Sequence, residues 1–243
     1  MTEAVKHTRE GNPLGYERLP RLLKSYAVPS VIAMLVSSLY NIVDQIFIGQ
    51  GVGYLGNAAT NVAYPLTTIC LSIALLIGIG SASRFSRELG AGRKESAAQA
   101  VGTAVCMMVL FGVIYVVLIE LFLHPLLTVF GATKDVMPYA ESYTRITAVG
   151  MPLLILTNGI SNLARADGSP KYSMTCMLVG AVINTILDPI FIFVLHQGVA
   201  GAALATVIGQ VFSCLMALNY LRRFSHVELR RSHFRLRLPV CLK

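Results

Sequence analysis

Residues 98–123 read AQAVGTAVCMMVLFGVIYVVLIELFL, an apolar run in which Glu120 is the only charged side chain. A helix rises about 1.5 Å per residue, so about 20 apolar residues cross the roughly 30 Å hydrocarbon layer of a bilayer. This stretch therefore predicts a membrane-spanning helix. Five further segments meet the same criterion, and the complete set is 26–48, 61–83, 98–123, 138–164, 172–195 and 198–221.

The composition agrees with a membrane protein. Of the 243 residues, 55% are hydrophobic and only 13% are charged, whereas an ordinary soluble domain carries about 25% charged residues. Too few charges remain to cover a soluble surface. No segment alternates in polarity over about ten residues, as a membrane-spanning strand does. We therefore predict an all-α membrane protein with six transmembrane helices.

The distribution of positive charge predicts the orientation. Eighteen of the 20 Lys and Arg residues lie in the N-terminal tail, the loops 84–97 and 165–171, and the C-terminal tail, whereas the opposite loops hold only Lys134. Cytoplasmic loops carry the excess of Lys and Arg. We therefore expect a multi-pass protein of a bacterial-type plasma membrane with both termini cytoplasmic. The predicted division is an N-terminal tail (1–25), a six-helix lobe (26–222) and a basic tail (223–243).

Both tails are predicted to interact with membrane lipid. Four leucines stand among basic residues near the start of the chain and indicate a short helix on the inner membrane surface: Leu14, Leu19, Leu22 and Leu23. The basic run 222–237 directly follows the last apolar segment, where basic residues attract anionic lipid. This placement argues against nucleic acid as a partner.

The sequence contains no pattern typical of an enzyme. Its five cysteines have no CxxC spacing and its five histidines have no ligand spacing. No Walker A sequence, HExxH or nucleophile–base constellation is found. We expect neither enzymatic activity nor a cofactor.

Two carboxylates within the apolar segments are the strongest functional candidates. An ionisable group costs about 2.5–3.5 kcal/mol at the centre of a membrane helix and usually has a function there. Asp44 and Asp188 lie late in the first and fifth segments, at similar depth. Asn41 and Asn184 precede them by three and four residues, on the same helix faces. These acid–amide pairs predict an oxygen-rich cation or proton site, unless they only mark helix ends in the headgroup layer.

Glu120 and Arg145 are secondary candidates. They occupy the facing ends of the antiparallel third and fourth segments. A structural ion pair, or side chains reaching toward the membrane surface, explains them without any role in transport.

The two candidate sites also resemble each other in sequence. Residues 44–48 (DQIFI) match 188–192 (DPIFI), and 50–52 (QGV) recur as 197–199. Such an echo has two explanations: an internal repeat, as transporters often contain, or convergent composition at two helix ends.

Four stretches together are similar to one family. These are NIVDQIFIG at 41–49, RADGSPK at 165–171, NTILDP at 184–189 and GVAGAALATVIGQ at 198–210. They resemble the multidrug and toxic compound extrusion (MATE) transporters of the MOP superfamily, over roughly residues 15–225. The resemblance implies antiport, in which sodium or protons enter while amphipathic, often cationic, drugs leave.

The resemblance also implies a binding site and a missing part. The residues that match the family's cation site, with sodium as the metal it can hold, are Asp44, Asn184, Asp188 and Thr206, with Tyr143 as a further member. The family has two six-helix lobes, and this chain matches the first. It is expected either to be a fragment or to pair with a second lobe or a second copy. The alternatives are a lipid-linked sugar flippase of the same superfamily and a non-transporting assembly partner.

Overall fold

The computed structural model describes residues 19–227, 229, 233 and 234. Seven α-helices make up this part of the chain, and a five-residue π-helical turn, Ile190–Val194, follows the sixth. The helices are α1 (Leu19–Gly51), α2 (Tyr54–Gly90), α3 (Lys94–Leu121), α4 (Leu123–Val129), α5 (Met137–Ala166), α6 (Pro170–Pro189) and α7 (Gly198–Tyr220).

The prediction of six membrane-spanning helices is confirmed. All of the helices except the short α4 are long and apolar enough to cross a bilayer. Helix α6 forms its span together with the π-helical turn that follows it. Large apolar side chains lie exposed on their outer faces, such as Met34, Leu76 and Val211. A soluble protein rarely exposes so much apolar surface, but a lipid-facing surface requires it.

Helix α1 begins at Leu19, seven residues before the predicted start, and runs without interruption to Gly51. Leu19 and Leu23 therefore belong to the first turns of the spanning helix, and not to a separate surface helix; Leu14 lies outside the described residues. A helix that has already begun extends at little cost because each added residue gains a hydrogen bond. The helix therefore runs across the predicted boundary at residue 25.

The third predicted segment divides in two. Helix α3 ends at Leu121, and the short helix α4 begins at Leu123. Phe122 between them leaves the helical region with φ −114° and ψ 21°. Pro125 lies in the first turn of α4, where its missing N–H interrupts no helical hydrogen bond.

Helix α5 lies at the centre of the bundle and packs against α2, α3, α6 and α7. Small residues allow this close approach, as is typical of membrane helices. A Cβ at Gly112 of α3, for instance, would stand 3.0 Å from the Cα of Pro152 in α5. The Tyr115 hydroxyl donates to the carbonyl of Leu66 at 2.6 Å and joins α3 to α2.

One end of the bundle, here named the basic end, carries the connections 91–93 and 167–169, the helix ends beside them and the C-terminus of α7. Part of the predicted basic tail is packed there: the exposed fractions of Val227 and His233 are 6% and 4%. The predicted basic tail, which starts at residue 223, therefore packs on the bundle at these two described positions. The sequence could not show this, because burial of isolated apolar residues in a charged stretch depends on where the chain turns.

Candidate cation site and cavity

Two acidic side chains face each other inside the bundle. Helices α1 and α6 run parallel from the basic end and pack together, which brings Asp44 beside Asp188. Both are buried, with exposed fractions of 7% and 0%. Their carboxyl groups lie within hydrogen-bonding range of each other, so they can share a proton. Counting residues predicted a similar depth for the two carboxylates, and the structure places them within hydrogen-bonding range of each other.

An amide connects Asp188 to the next helix. The Asn184 side chain donates from Nδ2 to Asp188 Oδ1 at 3.1 Å and to Thr206 Oγ1 at 3.3 Å. Asn184 lies one helical turn before Asp188 on α6, and Thr206 lies on α7. The three predicted site residues on these helices therefore form one hydrogen-bonded row.

Three buried oxygen atoms at this place have no hydrogen-bond donor among the described residues. They are Asp44 Oδ1, Asn184 Oδ1 and Asp188 Oδ2. A buried polar atom without a partner costs free energy, and a carboxylate or amide oxygen is a ligand that a hard cation prefers. The arrangement can therefore accept a cation or a proton.

Tyrosine side chains complete the surroundings. Tyr143 of α5, the fifth predicted site residue, lies within electrostatic range of both carboxylates. Tyr40 of α1 also lies within electrostatic range of both carboxylates and was missed by the sequence analysis. Its position four residues before Asp44, on the same helix face, was the available signal.

Gln45 was also missed. Its side chain contacts Asp44 and forms hydrogen bonds with Thr60 of α2 at 3.1 and 3.2 Å. It follows Asp44 directly in sequence, so helical periodicity gave no sign that it would approach the carboxylate.

The secondary candidates take no part in the contact between the two carboxylates. Asn41 is exposed and donates to the carbonyl of Ser37 at 2.7 Å, so the predicted second acid–amide pair does not form. An amide in a helix can bond to the preceding turn, and here it does. Glu120 and Arg145 form an ion pair at 3.7 Å, with 37% and 67% of their side chains exposed.

The two echoed sequences meet in space. Ile48 and Ile192, each one turn beyond its aspartate, pack together and are 0% and 3% exposed. Phe47 and Phe193 form an edge-to-face pair at 6.1 Å. These four side chains lie about one turn beyond the carboxylates, on the side away from the basic end, so the echo corresponds to a paired contact next to one site.

A cavity of ≈ 370 Å³ adjoins the site. Residues near the middle of α1, α2, α5, α6 and α7 line it, and Asn184 and Thr206 belong to both the cavity and the carboxylate site. Among the described residues, the lining consists of apolar and neutral polar side chains and includes no Lys, Arg, His, Asp or Glu. Its polar members are Ser37, Ser38, Tyr40, Asn41, Tyr64, Thr67, Thr157, Asn158, Asn184, Thr206, Gln210 and Ser213.

Comparison with known proteins finds one family. The MatE family model matches residues 29–190. Multidrug export protein MepA of Staphylococcus haemolyticus is 30% identical over 207 residues, which are 84% of this chain and 45% of that protein. The FAD transporter of Shewanella oneidensis is 30% identical over 221 residues, 88% of this chain and 48% of that protein.

A search of solved structures finds the same family. A multidrug resistance MATE family transporter of the MOP superfamily, in an outward-facing conformation, superposes with a TM-score of 0.85 and 26% identity. The match covers 99% of this chain and 52% of that one. The chain thus spans about half the length of the curated relatives and solved structures that it matches.

Proposed function

Because the chain belongs to the MatE family, we propose that it forms the cation-coupling lobe of an exporter. In this exporter sodium or protons enter as amphipathic or cationic small molecules leave. The observation that carries the proposal is the buried contact of Asp44 with Asp188, surrounded by oxygen atoms that lack donors. Such a group stores negative charge in a low-dielectric interior and is costly unless a cation or proton neutralises it.

The coupling ion exchanges for cargo in alternating steps. With both carboxylates ionised, the site attracts a cation, and binding neutralises the charge. A neutral site tolerates repacking that a charged one resists, so binding shifts the balance between two conformations. A proton can replace sodium because burial disfavours the charged form of a carboxyl group.

Asn184 provides a direct link between ion and cargo. Its Nδ2 donates to Asp188, while the same residue lines the cavity. A cation at the carboxylates draws Asn184 Oδ1, the amide oxygen that lacks a donor among the described residues, toward itself. Binding of the ion then changes the wall of the cavity, which is what coupled exchange requires.

The cavity lining favours neutral or cationic cargo. An anionic ligand, such as a dinucleotide or a lipid-linked sugar phosphate, is usually recognised by Arg or Lys side chains. The lining has none, and its aromatic and aliphatic residues suit an amphipathic molecule. This argues for drug export over the flippase alternative and over the transport named for the Shewanella relative.

The proposal also concerns the whole assembly. The matched relatives are about twice as long, so we propose that a second lobe, or a second copy of this chain, completes the transport pathway. We also propose that the basic end faces the cytoplasm, because cytoplasmic loops carry the excess of Lys and Arg.

Dye accumulation in cells that lack their main exporters tests the function. Cells that produce the chain, alone or with a second lobe, should accumulate less of a cationic dye, and removal of the sodium or proton gradient should abolish the difference. Asp44→Asn should also abolish the difference in dye accumulation, while the amount of the variant in the membrane stays unchanged. Crosslinking in the same membranes reports pairing, and dye export by a strictly monomeric chain would contradict the two-lobe proposal.

A further inference from the structure

The chain does not leave the bundle freely after α7. Residues 221–227, here named the strap, turn back across the basic end, and Val227 is 6% exposed. We propose that the strap is a latch that holds the ends of α5, α6 and α7 together and must release before the cavity opens at the basic end. The inference is independent of the coupling ion and of the cargo.

A buried carboxylate holds the strap. Asp167, in the loop between α5 and α6, is 1% exposed. It accepts hydrogen bonds from the Tyr220 hydroxyl at 2.7 Å and from the Ser225 backbone N–H at 2.9 Å, and its Oδ1 lies 2.8 Å from His226 Nδ1. Neither the tyrosine nor the backbone amide carries charge, so the carboxylate depends on keeping all of these partners. Its burial makes loss of even one of them costly.

Aromatic packing holds the same segment from the other side. Phe224 of the strap lies between Phe85 of α2, with ring centroids 5.7 Å apart, and Tyr220 of α7, at 5.1 Å. Tyr172 of α6 stacks on Tyr220 at 4.9 Å. Edge-to-face and tilted pairs at these separations stabilise by more than their buried area alone. The strap thus inserts one ring into a cluster that joins three helices.

The consequence follows from which helices the latch connects. The cavity is bounded by α5, α6 and α7, among others, and Asp167 follows α5 and precedes α6 while Tyr220 ends α7. Separation of these helix ends removes a donor from Asp167 or a ring from Phe224. Packed elements with two discrete arrangements make such a contact a switch, with a closed and a released state.

Hydrogen exchange on the full chain in lipid nanodiscs tests the latch. The Ser225 amide should exchange far more slowly than the same amide in an unstructured peptide. In Asp167→Asn, whose side chain cannot accept all of these bonds, strap exchange should be at least tenfold faster. Tyr220→Phe keeps the ring contacts and should accelerate exchange by a smaller factor. Asp135→Asn, which removes an exposed carboxylate from the opposite end, is the charge-matched control.

Native cysteines report whether the bundle opens. Cys176 of α6 and Cys214 of α7 are each 2% exposed and lie within two turns of the latch, while Cys70 is 0% exposed and lies in α2. In Asp167→Asn, maleimide labelling of Cys176 and Cys214 should accelerate at least tenfold while Cys70 stays slow.

Two outcomes overturn the proposal. One is an unprotected strap in the unmodified chain, a result that does not depend on any variant folding. The other is faster strap exchange in Asp167→Asn or Tyr220→Phe without faster labelling of Cys176 and Cys214.

Discussion

Replacement of Asp188 by asparagine should remove cation binding while leaving the fold intact. The change keeps the side-chain volume and removes the charge from a carboxyl group that is fully buried beside Asp44. Without a bound cation, the variant also loses the repulsion between two carboxylates. We therefore expect Asp188→Asn to unfold at an equal or higher temperature than the unmodified chain in sodium-free buffer.

The size of the effect follows from the burial of the pair. A unit charge about 4 Å from a cation contributes about 4 kcal/mol at an effective dielectric constant of about 20. Each 1.4 kcal/mol is about a factor of ten in affinity, so Asp188→Asn should weaken cation binding roughly 10³-fold. Thr206→Ala removes one neutral hydrogen bond to Asn184 at 3.3 Å, which contributes about 0.5–1.5 kcal/mol. Its cation affinity should fall by roughly two- to tenfold.

Thermal unfolding in nanodiscs, with sodium exchanged for choline and repeated at acidic and alkaline pH, measures this. A ligand at 100 times its Kd stabilises the folded state by about 2.7 kcal/mol. The same cation concentration should give no detectable shift of the unfolding temperature in Asp188→Asn and an intermediate shift in Thr206→Ala.

Thr185→Ala is the matched control, because Thr185 lies on the same helix and bonds only to the carbonyl of Ala181 among the described residues. Equal sodium- and proton-dependent shifts in Asp188→Asn and the unmodified chain would refute the cation site.

The remaining predictions concern topology, packing and the secondary candidates. An impermeant thiol reagent should label cysteines placed at 52–57 from outside intact cells and not those placed at 90–95; the reverse result would invert the assigned orientation. Gly180→Ala should destabilise the chain by about 1–3 kcal/mol, because the added Cβ would overlap a serine side chain of α7 and stand 3.0 Å from a backbone carbonyl oxygen. In the control, Gly80→Ala, the added Cβ meets nothing within 4 Å and should not lower the unfolding temperature. Glu120→Gln should leave sodium-dependent stabilisation unchanged, since it breaks only a partly exposed ion pair worth less than about 1 kcal/mol; loss of that stabilisation would return Glu120 to the cation site.

The sequence predicted the class of fold from two independent patterns. Apolar length located six helices, and the alternation of basic and charge-poor loops matched that number. The errors lie at the ends of helices: α1 starts seven residues early and the third segment breaks at Phe122. Helix ends depend on local capping and on what the adjoining turn contacts, and a hydropathy pattern records neither.

The candidate site was predicted in part. Asp44, Asn184, Asp188 and Thr206 lie together, with Tyr143 in electrostatic range, and their role as a cation site stays a prediction. They could be named because ionisable groups are rare in apolar helices and the family resemblance selected among the polar ones. The pairing of Asn41 with Asp44 was wrong. Two residues on one helix face share a direction, yet the side chain is free to bond to its own preceding turn, as Asn41 does.

By itself, the sequence determined that this chain crosses the membrane six times and which rare polar groups it carries into the apolar interior. These properties depend on local composition, since each helix satisfies its own backbone hydrogen bonds in lipid. Only the tertiary structure decided which of those groups meet: Asp44 with Asp188, and Asp167 with Tyr220, Ser225 and His226. Such contacts depend on how helices distant in sequence rotate and pack against one another. Packing of small residues sets those rotations over the whole bundle, and no single segment specifies them.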